Sequence, residues 1–307
     1  MPLYQAGILA PLPPVGRYVF FSLAGRDADA IRTALQRLQP LVDGNNAVVG
    51  MGPQLAAALD SPLPFLREFP SLQGPQFQAP CTPTALCLWL RGTDRGELLA
   101  LTRRLALALQ PAFALQHSVD AFVHRCGDNG LGRDLTGYED GSENPTGDAA
   151  ALAALGRAQG DGLDGGSCWA LQQWEHDFTA FQAMPSQAQD HAIGRRLSDN
   201  EELEDAPASA HVKRTAQESF EPEAFVMRRS MPWWSASPQG ADRAGLMFSA
   251  FGCSFDAFEA QMRRMLGMDD GISDALFGFS RPLSGCYLWC PPMRDGRLDL
   301  CRLGIGR

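Results

Sequence analysis

Apolar residues in the first half of the chain follow two spacings. Short β-rich apolar runs predict strands, whereas apolar residues three or four positions apart predict helices. The predicted elements are strands at Tyr18–Leu23, Ala47–Met51, Ala85–Leu90 and Phe113–His124, and helices at Ala28–Val42 and Glu97–Leu109. Asp27 stands directly before the first helix, where its carboxylate can accept backbone N–H groups of the first turn. The predicted order is therefore β-α-β-β-α-β.

The second half repeats this order with longer loops. Its predicted elements are strands at Cys168–Trp174, Ala224–Arg229, Leu246–Phe251 and Gly285–Cys290, and helices at Phe178–Ile193 and Phe255–Leu266. Phe255, Phe258, Met262 and Leu266 form the apolar stripe of the last helix, and Ser254 is its predicted cap. Two successive units of this kind predict an α+β protein with a duplicated ferredoxin-like fold, in which helices pack on two antiparallel sheets.

The boundary between the two units falls at an irregular stretch, residues 127–147, which is rich in Gly, Asn and Asp. We therefore expect an N-terminal ferredoxin-like domain at residues 1–135 and a C-terminal one at residues 136–307. A second polar stretch, residues 198–209, interrupts the second unit. Loops on a rigid scaffold are where reactive side chains concentrate, so both stretches are candidates for the functional site.

Composition and charge exclude several classes of protein. The 307 residues are 45% hydrophobic and 20% charged, so the chain can build its own core without disulfides or structural metals. The formal net charge of -9 argues against nucleic-acid binding, because phosphates are bound by clustered cations and the chain has no basic run. A chain of this length can also enclose a cofactor-sized cavity between packed elements.

Neither a membrane segment nor an export signal is visible in the sequence. No stretch approaches the roughly 20 apolar residues of a spanning helix, and the N-terminal residues lack a charged region and a twin-arginine pair. We expect a cytoplasmic protein without a membrane partner. The eight cysteines form no CxxC pair and no zinc spacing, and most are expected to be core thiols. They are Cys81, Cys87, Cys126, Cys168, Cys253, Cys286, Cys290 and Cys301.

The first irregular stretch contains an acid between glycines. Gly137-Tyr138-Glu139-Asp140-Gly141 is followed by Ser-Glu-Asn-Pro at positions 142–145. Glycines on both sides let the backbone approach a ligand closely, so the Asp140 carboxylate can point into a cavity. The sequence alone equally allows a capped turn with no ligand.

A single histidine follows the second polar stretch. His211, in Ala-His-Val-Lys-Arg at positions 210–214, has no second histidine or CxxC pair beside it, so it cannot build a zinc site alone. It could be the axial ligand of a haem, which needs only one imidazole because the porphyrin supplies four nitrogens. A surface or hydrogen-bonded core role is the alternative.

Two arginines end the predicted strand that starts at Ala224. Adjacent side chains of an extended chain point to opposite faces, so only one of Arg228 and Arg229 can reach a given cavity. An inward guanidinium keeps its charge and must meet an anionic group. Pro232 is expected to end the strand ladder. An ordinary ion pair at a sheet edge is the alternative.

Together these segments resemble the dye-decolourising peroxidases, or DyP-type haem peroxidases, of the bacterial cytoplasmic type. The resemblance rests on Gly137–Gly141 running into SENP, on AHVKR around His211, and on MRRSMPW around Arg228, seventeen residues after the histidine. Further similar segments are IGRR at 193–196, DNEELED at 199–205, QESFEP at 217–222, GLMF at 245–248 and DGISDAL at 270–276. The second half is covered almost completely, whereas the first half matches in layout only.

The resemblance implies a cofactor and a proximal side for it. His211 would be the metal ligand of haem b (iron protoporphyrin IX), held without covalent attachment. Asp274 would accept a hydrogen bond from the other nitrogen of this imidazole and raise its basicity, with a helix cap as the alternative. Arg195 would pair with a haem propionate, since a guanidinium matches carboxylate geometry.

On the opposite face of the haem, the resemblance implies that Asp140 acts as base and then acid toward peroxide. Arg228 would stabilise the developing charge. Ser230 occupies a position where relatives can carry asparagine, so its hydrogen bonds to distal water would differ.

The implied function is a haem-dependent peroxidase. It would reduce hydrogen peroxide and oxidise small organic donors, dye-like or phenolic, by one-electron steps through a ferryl intermediate. A homo-oligomer is expected, and the absence of a visible linker before residue 307 predicts no role as packaged cargo. The alternatives are a haem-binding or haem-handling protein with incidental peroxidase activity, and a ferredoxin-like scaffold without a cofactor.

Overall fold

Each half of the chain forms a four-stranded antiparallel sheet, and the two sheets join. The computed structural model describes residues 2–125, 127, 130–236 and 242–306. Its strands are β1 Val15–Leu23, β2 Ala47–Met51, β3 Leu72–Gln73, β4 Gln78–Ala79, β5 Leu86–Gly92, β6 Phe113–Phe122, β7 Ser167–His176, β8 Met227–Arg228, β9 Met231–Ser235, β10 Arg243–Gly252, β11 Ser280–Pro282, β12 Cys286–Cys290, β13 Met293–Arg294 and β14 Arg297–Leu298.

Helices of ten residues or more occur in both halves of the chain. They are α1 Ala28–Leu38, α2 Pro53–Ala58, α3 Arg95–Leu109, α4 Gly147–Ala154, α5 Phe178–Ala183, α6 Ser186–Ile193, α7 His211–Arg214 and α8 Asp256–Met265. Single 3-10 turns occur at Ala6–Ile8, Gln39–Leu41, Gln217–Ser219, Ala275–Gly278 and Cys301–Leu303. In the described part of the chain, no helix has the length and apolar character needed to cross a membrane.

The strand order confirms the duplicated ferredoxin-like fold. In the first half the order is β2-β5-β1-β6, and in the second half it is β12-β7-β10, with β9 and β8 both pairing with β10. The halves connect where β12 pairs with β2 and where β6 pairs with β9. Because β7 also pairs with β10, eight strands close into one antiparallel ring.

The closed ring separates two hydrophobic cores. Alternate residues of each strand point inward, and Tyr18, Trp89, Trp169 and Phe251 fill the interior together with smaller apolar side chains. The other set of alternate residues points outward and packs under the helices. The ring is therefore filled by side chains, and any large cavity must lie on its outer face.

Several predicted boundaries needed correction. The predicted helix at 178–193 is two helices, because Pro185 has no N–H and the preceding Met184 is extended. The predicted strand at 224–229 is reduced to β8, because Gln217 accepts the N–H groups of Ala224 and Val226 with its own carbonyl and side-chain oxygens.

Two smaller predictions also differ from the structure. Pro232 does not end the ladder but lies inside β9, opposite Leu246 of β10. This is possible because β9 meets its other neighbour, β6, at a single pair, so the missing N–H removes little. The last long helix, α8, is capped at Phe255, although Ser254 accepts the N–H of Asp256 as a cap would.

The cap of the first helix and most of the thiol prediction are confirmed. Asp27 accepts the N–H groups of Asp29 and Ala30 at the start of α1. All seven cysteines in the described ranges are free. Four of them, Cys87, Cys168, Cys286 and Cys290, are buried, whereas Cys253 and Cys301 are exposed and Cys81 is half-buried. Cys126 lies outside the described residues.

Candidate functional site

A cavity lies on the outer face of β7 and β10 and under α8. Its walls are largely apolar and include Trp174, Phe248, Phe258 and Met262. Asp140, His211 and Arg228 also line it. The acid, the imidazole and the guanidinium that the sequence suggested thus meet around one space, although 88 positions separate the first from the last in the sequence.

The loop that carries Asp140 requires its glycines. Gly137 and Gly141 have φ of +99° and +88°, in the left-handed region that other residues avoid. A Cβ on Gly141 would also lie 2.9 Å from Nδ2 of Asn144. Asn144 Nδ2 donates to the Arg228 carbonyl at 3.0 Å, and its Oδ1 accepts the Arg228 N–H at 2.7 Å. One asparagine therefore fixes the acid loop against the strand that carries the guanidinium.

The Asp140 carboxyl holds a proton more readily than an ordinary aspartate. Burial disfavours the ionised form and raises its pKa. The positive charge of Arg228 acts in the opposite direction, and the negative charge of Asp134 raises the pKa further. A carboxyl with a raised pKa is suited to accept a proton and then return it.

The two arginines point in opposite directions, as predicted. Arg228 lines the cavity, and its buried Nε has no hydrogen-bond partner within the described part of the chain. Arg229 points away and donates to the carbonyls of Ile8 and Leu9. Burial lowers the pKa of Arg229 to about 10, and nearby Arg91 adds to this effect. Arg228 is thus the guanidinium available to a ligand.

His211 is held by a buried carboxylate. Its Nδ1 lies 2.8 Å from Oδ2 of Asp274, whose side chain has no exposed surface. Because an ionised carboxylate only accepts, Nδ1 carries the hydrogen and the lone pair of Nε2 is left for a ligand. The other oxygen of Asp274 accepts the N–H of Leu276. The two interpretations of Asp274, partner of the histidine and helix cap, therefore both describe its contacts.

The short helix α7 is anchored from its far end. Arg214 forms two parallel hydrogen bonds to Asp270, at 2.7 and 2.8 Å, and also donates to the carbonyl of Arg264 at the end of α8. The N–H of Ala275 donates to the carbonyl of Ser209, so the segments before His211 and after Asp274 are tied together. These contacts fix the imidazole orientation, and sequence reasoning missed them because their partners are fifty or more positions apart.

The structure does not bring every predicted residue to the main cavity. Arg195 lines a neighbouring hollow of about 630 Å³ that shares Asp140, His211 and Arg228 with it. There Arg195 pairs with Glu143 and Glu202 of its own chain, at 2.5 and 3.2 Å.

Ser230, by contrast, is buried and does not line the cavity. Its hydroxyl has no hydrogen-bond partner among the residues that the structure describes. The geometry thus gives it no contact with a bound group.

Two further polar pairs border the cavity. His176 Nε2 lies 3.1 Å from Asp134 Oδ2. Burial favours the neutral form of Asp134, but His176 and Thr136 outweigh it and hold its pKa at about 2. On another side, the Tyr138 hydroxyl donates to Asp190 at 2.5 Å. A buried histidine beside an acidic loop was the available signal for the first pair.

The residues present fit a haem. A porphyrin needs a largely apolar space, an axial ligand, and polar groups over the open face of the iron. The cavity offers apolar walls, the Nε2 of His211, which has no hydrogen-bond partner among the residues that the structure describes, and the carboxyl and guanidinium of Asp140 and Arg228. The unpartnered Nε of Arg228 also indicates that a polar or anionic ligand belongs beside it.

The chain is similar to known proteins over nearly its whole length. The sequence model of the family described as "Dyp-type peroxidase, C-terminal" matches residues 132–295. A dye-decolorizing peroxidase of Mycolicibacterium paratuberculosis is 29% identical, and the alignment covers 94% of this chain and 84% of the relative. The matched range includes each of the six site residues named from the sequence.

Solved structures show the same fold. A dye-decolorizing protein from Vibrio cholerae superposes with a TM-score of 0.81 at 26% identity, covering 97% of this chain and 98% of the other. A variant of the DypB protein of Rhodococcus jostii RHA1, solved in complex with heme, also has a TM-score of 0.81, at 25% identity and with both chains covered completely.

Proposed function

The chain belongs to the Dyp-type peroxidase family, and on this premise we propose a role for each polar side chain of the cavity. Its activity is that of a DyP-type haem peroxidase, and its cofactor is haem. Bound haem supplies the redox chemistry, which is the two-electron reduction of peroxide and the one-electron oxidation of organic donors. The protein supplies binding, orientation and proton transfer.

His211 would hold the iron through Nε2. The hydrogen bond from its Nδ1 to the buried Asp274 carboxylate fixes the imidazole ring and makes Nε2 more basic. Arg195 would bind a haem propionate in place of its present partner Glu143 or Glu202. Both glutamate side chains are half-exposed, and ion pairs at the surface contribute little free energy, so either one can be replaced. We assign Ser230 no contact with the cofactor.

Asp140 would move the proton of hydrogen peroxide. Its carboxylate accepts the proton from one peroxide oxygen and delivers it to the other as the O–O bond breaks, so that the second oxygen leaves as water. Arg228 would stabilise the negative charge that develops during this transfer, because its guanidinium lines the same cavity and acts electrostatically on Asp140.

The position of the cavity in the second half also suggests a division of the chain into domains. We propose a haem-binding domain at residues 136–307 and a supporting domain at 1–135, which contributes Asp134 to the cavity. Free cysteines throughout the described ranges support a cytoplasmic location, since oxidising compartments favour disulfides. We also propose that the protein is a homo-oligomer. Its substrates would be hydrogen peroxide and small dye-like or phenolic donors.

The convergence of His211, Asp140 and Arg228 on one cavity is the observation that carries this proposal. Its test is a stopped-flow measurement of the haem-loaded protein mixed with one equivalent of hydrogen peroxide and no donor. We expect a rapid change of the haem spectrum in the wild type and a slow one in Asp140→Ala and Arg228→Ala. A haem-handling protein would bind haem with no rapid response to peroxide, and that result would contradict the proposal.

A further inference from the structure

A second hollow, of about 990 Å³, lies behind one wall of the cavity. The wall consists of His176, Phe279 and Ser280, which line both spaces. We propose that this hollow, here called the donor pocket, binds the organic electron donor, and that the donor is an uncharged or cationic aromatic molecule. This inference rests on the proposed peroxidase function and adds to it the place and the class of the second substrate.

The three side chains of this wall pack against one another. Phe279 is 2% exposed. His176 Nδ1 lies 2.7 Å from Ser280 Oγ, so these two polar side chains are hydrogen-bonded to each other. The His176 and Phe279 rings are 6.3 Å apart. A donor bound outside this wall would be separated from the cavity by packed rings, which exclude the molecule while allowing an electron to cross.

A second aromatic contact leads in the same direction. Phe277 lines the donor pocket, and its ring lies 5.6 Å from that of Trp174, which lines the cavity. Phe178 contributes another ring on the pocket side, 5.8 Å from His176. Aromatic side chains on several sides of a pocket favour a flat aromatic ligand, because rings pack edge to face or with an offset.

The charges around the pocket decide the class of donor. The Glu175 carboxylate accepts hydrogen bonds from both Arg243 and Arg281, which lowers its pKa despite partial burial and keeps it ionised. Asp177 and Asp242 are exposed and complete a set of three carboxylates against two guanidinium groups. The excess is negative, in agreement with a chain charge of -9. An uncharged or cationic ring is therefore favoured over a sulfonated dye.

The reaction balances with donors of this kind. Each phenol or aromatic amine gives up one electron and one proton and becomes a neutral radical. Two donors together supply the two electrons and two protons that convert one hydrogen peroxide into two waters. The electrons cross the shared wall, and the donor protons are released to solvent through the open, acid-rimmed mouth of the pocket. An equal number of protons enters the cavity from solvent, so the overall reaction stays balanced.

The direct test is to fill the pocket without touching the cavity. Thr179 is exposed, lines the donor pocket and does not line the cavity. In Thr179→Trp we expect the KM for guaiacol, an uncharged phenol, to rise by at least about fivefold, whereas Thr179→Ser leaves it unchanged. The peroxide step, followed by stopped flow without donor, keeps its wild-type rate in both variants.

A charge reversal tests the donor class. Arg281→Glu makes the pocket more negative, and Arg103→Glu on the exposed face of α3 is the matched control. We expect kcat/KM for the dianionic dye ABTS to fall by at least about threefold more in Arg281→Glu than in the control, and kcat/KM for guaiacol to change equally in both.

The outcomes separate the two proposals. A wild-type protein that fails to respond to peroxide would overturn the peroxidase assignment and the donor pocket with it. A normal peroxide step combined with an unchanged guaiacol KM in Thr179→Trp would overturn the donor pocket alone. Equal ABTS kinetics in Arg281→Glu and Arg103→Glu would overturn the assigned class of donor.

Discussion

The two halves of the chain share one topology but treat the outer face of their sheets differently. In the first half, α1 and α3 lie side by side on the sheet, and Leu35, Leu38 and Leu105 are completely buried beneath them. In the second half, the first helix is broken at Pro185 and only α8 lies on the sheet, so a cavity remains. A ferredoxin-like half becomes a binding site when its helices stop covering its sheet.

Polar side chains mark the same difference. The outer face of β7 carries Gln172 and His176, and both line the cavity. In the first half, the strand residues that pack under α1 and α3, such as Val19, Val49 and Leu88, are apolar. Buried polar groups cost free energy unless they are paired, so such residues persist where a ligand or a network uses them. To this face of the sheet in the second half, the loop at 130–146 adds Asp140 and also Asn144, which holds the backbone of Arg228. The loop at 195–226 adds His211.

The largest effect is expected from replacing Asp140, the acid that lines the cavity of the second half. Asp140→Asn keeps the shape of the side chain but cannot accept the peroxide proton. We expect the rate of the peroxide step to fall by about 10²–10⁴-fold, with the spectrum of the ferric haem almost unchanged. Stopped-flow absorbance measures both quantities. If the rate of the peroxide step in Asp140→Asn stayed within about threefold of the wild-type rate, the assigned role would be contradicted.

A smaller loss is expected on the other side of the cavity. Asp274→Asn removes the charged partner of His211 while leaving an amide oxygen that can still accept its hydrogen. Haem affinity or peroxidase turnover should fall by about 10- to 100-fold. Haem titration followed by absorbance checks the affinity. The matched control is Asp270→Asn, which lies at the anchor of α7 and should move the affinity less.

In the pH profile of the peroxide step, the expected effect is a displacement of the acid limb. Only the ionised Asp140 accepts a proton, so the peroxide step slows as the pH falls through its pKa, which burial raises. Removing the positive charge in Arg228→Gln should raise this pKa and move the acid limb to higher pH. Removing the negative charge in Asp134→Asn should move the limb to lower pH. Shifts in the same direction for both variants would contradict the electrostatic account.

The smallest effect on activity is expected from a substitution in the packed core of the first half. Leu105 lies on the buried face of α3 and is completely buried, far from any cavity residue in the sequence. Leu105→Ala should lower the free energy of unfolding by about 2–5 kcal/mol, because it leaves a hole in a packed core. The peroxide step at 25 °C should be unchanged. Denaturant unfolding and stopped flow test the two statements, and a slowed peroxide step would show that the halves are not separable in this way.

The sequence contained the element order because short-range patterns decide it. Ala47–Met51 was predicted with its correct bounds, and Pro185 was visible as a break although the helix was predicted across it. The closing of the ring could not be predicted, since it depends on single pairs such as Trp289 with Met51 that have no local signal. Likewise, no local pattern shows that Gln217 satisfies the backbone at 224–226.

For the site, the sequence supplied the chemistry and the structure supplied the supports. Asp140, His211 and Arg228 were recognisable because of their motifs and spacing. Asn144, which joins two of these motifs, lay in the quoted segment without a role, and the Arg214–Asp270 pair had none either. Supports of this kind are set by three-dimensional proximity, so a single sequence cannot show them.

The central claim is that one imidazole holds the haem in the cavity of the second half, beneath the acid and the guanidinium. A haem titration of the wild-type protein and of His211→Ala, followed by absorbance, tests it most directly. We expect one haem per chain with a histidine-ligated spectrum in the wild type, and loss of that spectrum in His211→Ala. An unchanged spectrum in His211→Ala would contradict the account.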